Sequence, residues 1–334
     1  MASAPDDIDA LPPLATRPTY TTEEVQEYLE HIAMPPSARH TTITHLTPAQ
    51  QLEHLTLLLH RTLAAVPFEN LSLHYSVHKT MLLSPTLLFD KIVRGRADAG
   101  PSLPHTRRGG YCMQNNTLLA TVLRSLGYAI TSVGARVAAP NGLFGGWSHH
   151  ANLVRLGDTA YLLDIGFGPN GPTLPLPLAH GVAHAHLGDA QQRLRYTRLA
   201  QHTDAASRAW VYEHRVARDG PWTTVYSFVE TEFLPPDYGI MSLATATRRD
   251  TFFTYEVVCT RFTLDAETGE LDGCLILGTG LKWRRRGENK VIVERFKNEA
   301  ERLKALDEWF QIRFPEEDAR GIAGMVSEIK EESA

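Results

Sequence analysis

The chain is poor in cysteine, with Cys112, Cys259 and Cys274 the only three in 334 residues. Three is too few, and the wrong parity, for a disulfide framework. Such usage suits a reducing compartment, so a cytoplasmic protein is expected. No apolar run approaches the roughly 18 residues of a membrane-crossing helix, so no membrane partner is expected. The opening MASAPDDIDALPPLATRPTY is acidic and proline-rich with no apolar centre, unlike a secretory leader. Excess positive charge is lacking too. The formal net charge is −5, which argues against nucleic acid as a main partner. One basic run, Lys282 to Arg286, reads as a solvated strand end. There is no internal repeat and no regular strand–helix alternation, which argues against a doubly wound sheet.

What remains is ordinary globular material, with 43% hydrophobic and 21% charged residues. The length implies two or three domains. Helical signals dominate from about residue 21 to 127. Thr21-x-x-Glu24 and Thr47-Pro48-x-Gln50 are helix starts. Leu52, Leu55, Leu59 and Leu63 share one helical face, and Ser84-Pro85 opens a third helix. After Cys112, the spacing of Leu119, Val122, Leu123 and Leu126 is helical, and Gly127 stands at a C-cap. From 128 the pattern becomes strand-like (YAITSVGARVAA, HHANLVRL, TAYLLDIG, WVYEHRV, TTVYSFVE, TFFTYEVVCTRFTLD, GCLILGTGLKWRRR, KVIVERF). The segment NEAERLKALDEWFQIRF is helical again, with Leu303, Leu306 and Trp309 on one side. The fold class is α+β, a helical bundle beside an antiparallel barrel or sheet.

The chemistry centres on RRGGYCMQNN. Cys112 falls at a predicted helix start, where the helix N-terminus stabilises a thiolate. Gly109 and Gly110 before it are expected to allow positive φ and to leave N–H groups free for an oxyanion. A small buried residue at a helix entry is the competing reading. Cys259 and Cys274 lie in apolar strands and read as core. A nucleophilic thiol needs a base, and the base an orienting group. His149 and His150 open one strand, and Asp164 closes the next. With a two-residue turn at Gly157-Asp158, opposed residues sum to 315, so Asp164 faces Ala151 and shares a face with His149, not His150. His184 and His186 read as a solvated loop, with no metal site expected.

RRGGYCMQNN resembles the signature of the arylamine N-acetyltransferases. SHHANLV and YLLDIGFG resemble that family's histidine and aspartate strands, with the same spacing of 15 positions from His149 to Asp164. VPFENLSLH and FLPPDYGIMSLATATRRDTFFT resemble further segments, and the whole looks most like the fungal branch. The resemblance implies a loose arm (1–20), a helical bundle carrying the nucleophile (21–127), a β-barrel carrying His and Asp (128–235) and a C-terminal α/β lid (236–334), around a cysteine-protease-like Cys-His-Asp core. It implies ping-pong acyl transfer by Cys112, His149 and Asp164, from acetyl-CoA or malonyl-CoA to an arylamine or hydrazine, in detoxification of aromatic amines. No tightly bound cofactor is implied, and the chain is expected to be a monomer or weak dimer. Gly145, Gly146, Gly166 and Gly168 are expected near the CoA donor, Phe167 in the acceptor pocket, and Arg108 at the substrate or holding the loop. A malonyl carboxylate would call for an arginine or hydroxyl near the donor. Two rivals stay open on the residues alone: a papain- or transglutaminase-like enzyme using the same triad, and a binding protein with an inert Cys112.

Overall fold

The computed structural model describes residues 15–95, 106–285 and 288–330. Helices α1 (Thr22–His31), α2 (Pro48–Ala65), α3 (Pro85–Ile92) and α4 (Cys112–Leu126) form the N-terminal part. Both expected helix starts are present and each is a capping box, with Thr21 and Glu24 joined reciprocally at 3.2 and 2.9 Å, and Thr47 paired likewise with Gln50. Gly127 closes α4 at φ 97°, where a side chain would be strained. On α2 the buried leucines are Leu55, Leu58, Leu59 and Leu63, while Leu52 is half-buried.

The expected loose arm is corrected in part. Residues 1–14 lie outside the described residues, but the rest is tied down. Tyr20 is buried, its N–H donating to Ser125 Oγ at 2.8 Å and its hydroxyl to the Pro85 carbonyl at 2.8 Å. Arg17 pairs with Glu232 at 3.0 Å.

The short β1 (Phe68–Glu69) interrupts the helical part. An antiparallel sheet of eight strands follows: β2 (Ala129–Ala138), β3 (Phe144–Leu156), β4 (Thr159–Leu163), β5 (Leu176–Pro177), β6 (Ala183–Ala185), β7 (Gln191–Thr197), β8 (Ala209–Arg215) and β9 (Thr223–Glu232). Their spatial order is β5-β4-β3-β2-β9-β8-β7-β6. One face of almost every strand feeds a single apolar cluster, including Val133, Ala151, Leu162, Leu194, Tyr212 and Phe228. The sheet is therefore rolled into a barrel-like form around its own core.

Helix α5 (Pro235–Thr247) leads into β10 (Cys259–Leu264), β11 (Leu271–Leu277), β12 (Leu281–Arg285) and β13 (Glu288–Val293), then α6 (Glu299–Phe310) and α7 (Glu316–Ala319). Strand β1 joins this second sheet as its edge beside β10, stitching the N-terminal part to the C-terminal one. Cys259 and Cys274 are fully buried in it.

Four expectations change. TFFTYEVVCTRFTLD is a strand only from Cys259; Phe252–Thr254 is a 3-10 turn whose Phe253 packs edge-on against Tyr111 and Phe68. Tertiary packing there outweighs strand propensity. The basic run does end β12 with Lys282 and Arg285 exposed, but its arginines are also paired. Arg284 donates to Asn170 Oδ1 at 2.8 Å and Arg285 to Asp272 at 2.7 Å, while Arg286 lies outside the described residues. His184 lies in β6, and His186 is half-buried, its Nε2 2.9 Å from the Gly171 carbonyl. On α6 the buried side chains are Arg302, Ala305, Leu306 and Phe310, with Leu303 and Trp309 packed at the margin. Among the described residues no helix is long and apolar enough to cross a membrane.

Candidate active site

The β3–β4 hairpin has the register that the two-residue turn requires. Leu156 faces Thr159, and the pairing runs on to Asn152 opposite Leu163. Asp164 is the next residue, and the chain then turns away at Gly166. This carries the carboxylate to His149, whose Nε2 lies 2.7 Å from Asp164 Oδ2. The Cys112 sulfur is near enough to His149 to favour its charged form. Helix α4 begins at Cys112, so the sulfur stands at its first residue, 3.0 Å from Met113 Sδ and 3.7 Å from the Ser148 carbonyl. Cys112, His149 and Asp164 come together from three places in the chain, and all three are buried at 4%, 2% and 1% exposure.

Burial of His149 disfavours its charged form, but the Asp164 carboxylate, its hydrogen bond and the Cys112 sulfur outweigh this and raise the imidazole to about 10. Burial likewise opposes ionisation of Asp164, yet the His149 charge and three donors hold it below the usual carboxylate range. The pair is thus an imidazolium–carboxylate across the neutral range. Its stabilisation is complete between the unfolded carboxylate and imidazole pKa values, and is lost as pH rises towards about 10.

Asn116 was not singled out in the sequence. It lies four residues after Cys112, hence on the same helix face. Its Nδ2 donates to Asp164 Oδ1 at 2.8 Å and to the His150 carbonyl at 2.6 Å, and its Oδ1 accepts the Ile165 N–H at 3.1 Å. Gly166 N–H gives Asp164 Oδ1 a further bond of 2.7 Å. Helix spacing from the cysteine was the signal that could have found Asn116. Tyr226 on β9 also escaped notice; its ring centre is 4.9 Å from that of His149.

Gly109 and Gly110 do not serve as expected. Neither has a positive φ. Each is required because a Cβ would collide, at Gly109 with the Pro67 carbonyl and at Gly110 with the Gln114 side chain. Nor is the Gly109 N–H free, since it donates to Glu69 Oε1 at 3.3 Å. A Cβ on Gly166 would stand 2.6 Å from Cys112 Cα, so this glycine lets the hairpin end press against Cys112. Gly168, at φ +80°, packs on Phe68 and Thr260. Of the four glycines expected near a donor, only Gly145 and Gly146 are exposed, both within β3, and a Cβ on Gly146 would meet nothing within 4 Å.

Phe167 is half-buried, its ring centre 5.2 Å from that of His149 and edge-on to it. Tyr111 caps α4 and is fully buried, its hydroxyl bonded to Ser242 of α5. Phe68, Met113, Tyr238 and Met241 complete an apolar cluster around Cys112, with Trp147 and Phe253 at its margin.

Arg108 is 5% exposed and lies in the loop that leads into α4. Its Nε donates to Glu69 Oε1 at 3.1 Å and its Nη2 to Ser72 Oγ at 2.9 Å. Of its two expected roles, holding the loop is the one this geometry serves. Lys91 of α3 shares the same carboxylate at 3.6 Å, and Glu69 Oε2 accepts the Leu71 N–H at 2.6 Å. Burial opposes the Glu69 charge, but the two cations and these donors bring it down to about 2. Its contribution to stability is therefore present above the unfolded carboxylate range and lost as pH falls towards about 2. Glu69→Gln removes the carboxylate both buried cations share, and should cost about 3–5 kcal/mol, read as a lowered midpoint in urea unfolding at neutral pH. A loss under about 1 kcal/mol would mean that the cluster does not anchor the loop.

A polarised imidazole with a buried thiol on one side and a carboxylate on the other is equipped for acyl transfer through a thioester. Among the described residues no group of three or more histidine, cysteine or carboxylate side chains is placed to hold a metal.

The N-acetyltransferase family model matches residues 51–319. An N-malonyltransferase FDB2 of Fusarium pseudograminearum (strain CS3096) is 36% identical over 330 residues, covering 91% of this chain and 93% of that protein. The arylamine N-acetyltransferase of Mycobacterium abscessus shares the fold at TM-score 0.72 and 22% identity, over 92% of this chain and 98% of that one. The Mycobacterium marinum arylamine N-acetyltransferase, solved in complex with CoA, does so at TM-score 0.67 and 24% identity, over 86% and 92%. With a family model over most of its length and a relative this similar along nearly all of it, the chain belongs to the arylamine N-acetyltransferase family.

Proposed function

We propose that this protein transfers an acyl group from a CoA thioester to an arylamine or hydrazine through an acyl-cysteine on Cys112. The observation that carries the reading is the buried imidazole of His149, bonded to Asp164 at 2.7 Å and held in its charged form in part by the Cys112 sulfur. The His149 cation and the first turn of α4 both favour a thiolate at Cys112. That thiolate attacks the thioester carbonyl, and the C–S bond to CoA breaks as His149 returns a proton to the leaving sulfur. The amine then attacks the acyl-cysteine carbonyl, giving its proton to His149, and the Cys112 C–S bond breaks to release the amide. Asp164 keeps the imidazole oriented and charged, and Asn116 and Gly166 fix Asp164. Phe167, edge-on to His149, forms a wall of the acceptor pocket. Gly145 and Gly146 leave room along β3 for the pantetheine arm.

The relative over nine-tenths of the chain is named for malonyl transfer, so malonyl is the favoured acyl group, with acetyl second. Detoxification of aromatic amines is the role that suits such a reaction. Initial rates with both donors against an arylamine test the proposal. Parallel double-reciprocal lines are expected, with kcat/KM for malonyl-CoA at least about tenfold above that for acetyl-CoA, a difference of about 1.4 kcal/mol. Intersecting lines would refute the acyl-enzyme route. Donor hydrolysis as fast without amine as with it would mark a hydrolase.

A further inference from the structure

Helix α5 is apolar on both of its sides. Its 13 residues carry one charged side chain, Asp237, and that carboxylate is occupied in capping the Leu234 N–H at 2.7 Å. One face is buried in the protein. Tyr238 and Met241 pack in the cluster around Cys112, and Ser242 bonds the Tyr111 hydroxyl. The opposite face is open. Ile240 is 70% and Leu243 64% exposed, with Pro236, Gly239 and Thr247 exposed beside them. A surface helix ordinarily sets charged side chains on that side, and one that is apolar all round is ordinarily covered.

The spacing and the ends of the helix point to what covers it. Pro236, Ile240, Leu243 and Thr247 are separated by four, three and four positions, the seam of one helix packed along another. Gly239 lies beside that seam. A mid-helix glycine weakens a helix, and no contact within the single chain requires this one, since a Cβ there would meet nothing within 4 Å. At a seam, a glycine lets a second backbone approach closely. The seam also matches its own reverse. Laid antiparallel on a second copy about the midpoint between Met241 and Ser242, α5 sets Ile240 against Leu243, Gly239 against Ala244, and Leu234 against Arg249 of the other helix. Arg249 is exposed, and among the described residues it has no ion pair. It thereby reaches the entry of the second helix, where the Glu232 side chain is 55% exposed and engages Arg17 through Oε1 alone. The opposed helix dipoles favour the same arrangement, and two-fold symmetry makes each contact twice.

We propose that α5 is the contact by which two copies of this chain associate, antiparallel and two-fold, with Ile240 and Leu243 at its centre. The occupant is a second copy rather than another protein because the seam, the glycine and the end charges all match their own reverse. A single helix pair is a small interface, so the dimer is expected to form in the micromolar range. The contact lies on the outer side of the helix that walls the Cys112 cluster. It uses none of that cluster's residues, so it stands or falls independently of the acyl-transfer reading.

The experiment is sedimentation equilibrium of the full chain from about 1 to 200 µM, which brackets that range. Wild type should pass from the mass of one chain to the mass of two. Ile240→Lys would bury an unpaired ammonium in the seam and should weaken association at least about tenfold. Gly239→Gln should weaken it comparably while keeping or raising the melting temperature, since glutamine suits a helix better and its Cβ meets nothing in the single chain. The two variants are independent, so the test survives if one fails to fold. The mass of one chain at every concentration would overturn the proposal and leave the face to residues 1–14 or to another protein. So would a dimer unchanged in both variants, which would place the contact elsewhere. Mass rising beyond two chains would mark unspecific adhesion and overturn it as well.

Discussion

Cys112→Ala should lower turnover by on the order of 10⁴-fold or more, with the fold intact. The side chain removed is small and stands at the first residue of α4, so the helix keeps its cap and its packing. What is lost is the only described thiol near an imidazole. Cys259 and Cys274 are buried in the other sheet, where burial pushes the Cys259 thiol well up and Cys274 up to about 12. Neither can replace it as a thiolate. The check is steady-state rate beside melting temperature. A variant with more than about a tenth of wild-type activity would mean that no acyl group passes through Cys112.

Asp164→Asn should cost about 10⁴-fold in kcat, by way of the imidazole rather than the thiol. The amide must keep its oxygen towards Asn116 Nδ2 and the Gly166 N–H, both of which donate to this position. Its NH2 group then faces His149 Nε2, which is forced to accept. The ring proton moves to the nitrogen on the cysteine side, and the imidazole can no longer take a proton from sulfur or amine. Burial, no longer opposed by a carboxylate, also removes the His149 positive charge at neutral pH. Alkylation of Cys112 by iodoacetamide at neutral pH should therefore slow more than tenfold in the same variant. If alkylation stayed at the wild-type rate while turnover fell, Asp164 would serve only in the later proton transfers.

The β3–β4 hairpin was legible because strand register is arithmetic. A two-residue turn fixes which residues face one another, and His149 rather than His150 follows from it. Helix starts were legible because capping chemistry is local. The 3-10 turn at Phe252 was not, because aromatic contacts with Phe68 and Tyr111, far apart in the chain, decide it. Helix α5 carried a local signal that the strand-rich pattern obscured, since Pro235 opens it and Asp237 caps the Leu234 N–H at 2.7 Å. The glycines before Cys112 were recognised as special for the wrong reason, because a clash with Pro67 depends on a segment more than forty residues away. Glu69 showed in sequence only as an acid in the apolar stretch VPFENLSL. Its partners Lys91 and Arg108 meet it only once β1, α3 and the loop before α4 have packed. That β1 would join the C-terminal sheet was beyond local reading, since two residues carry no period.

The central claim, that the acyl group rests on Cys112, is tested most directly by intact-protein mass. Wild type would be mixed briefly with malonyl-CoA, and separately with acetyl-CoA, with no amine present. The account predicts one acyl adduct on wild type, none on Cys112→Ala, and loss of the adduct on addition of an arylamine as the amide appears. An unmodified mass with either donor, while amide still forms when amine is present, would contradict it.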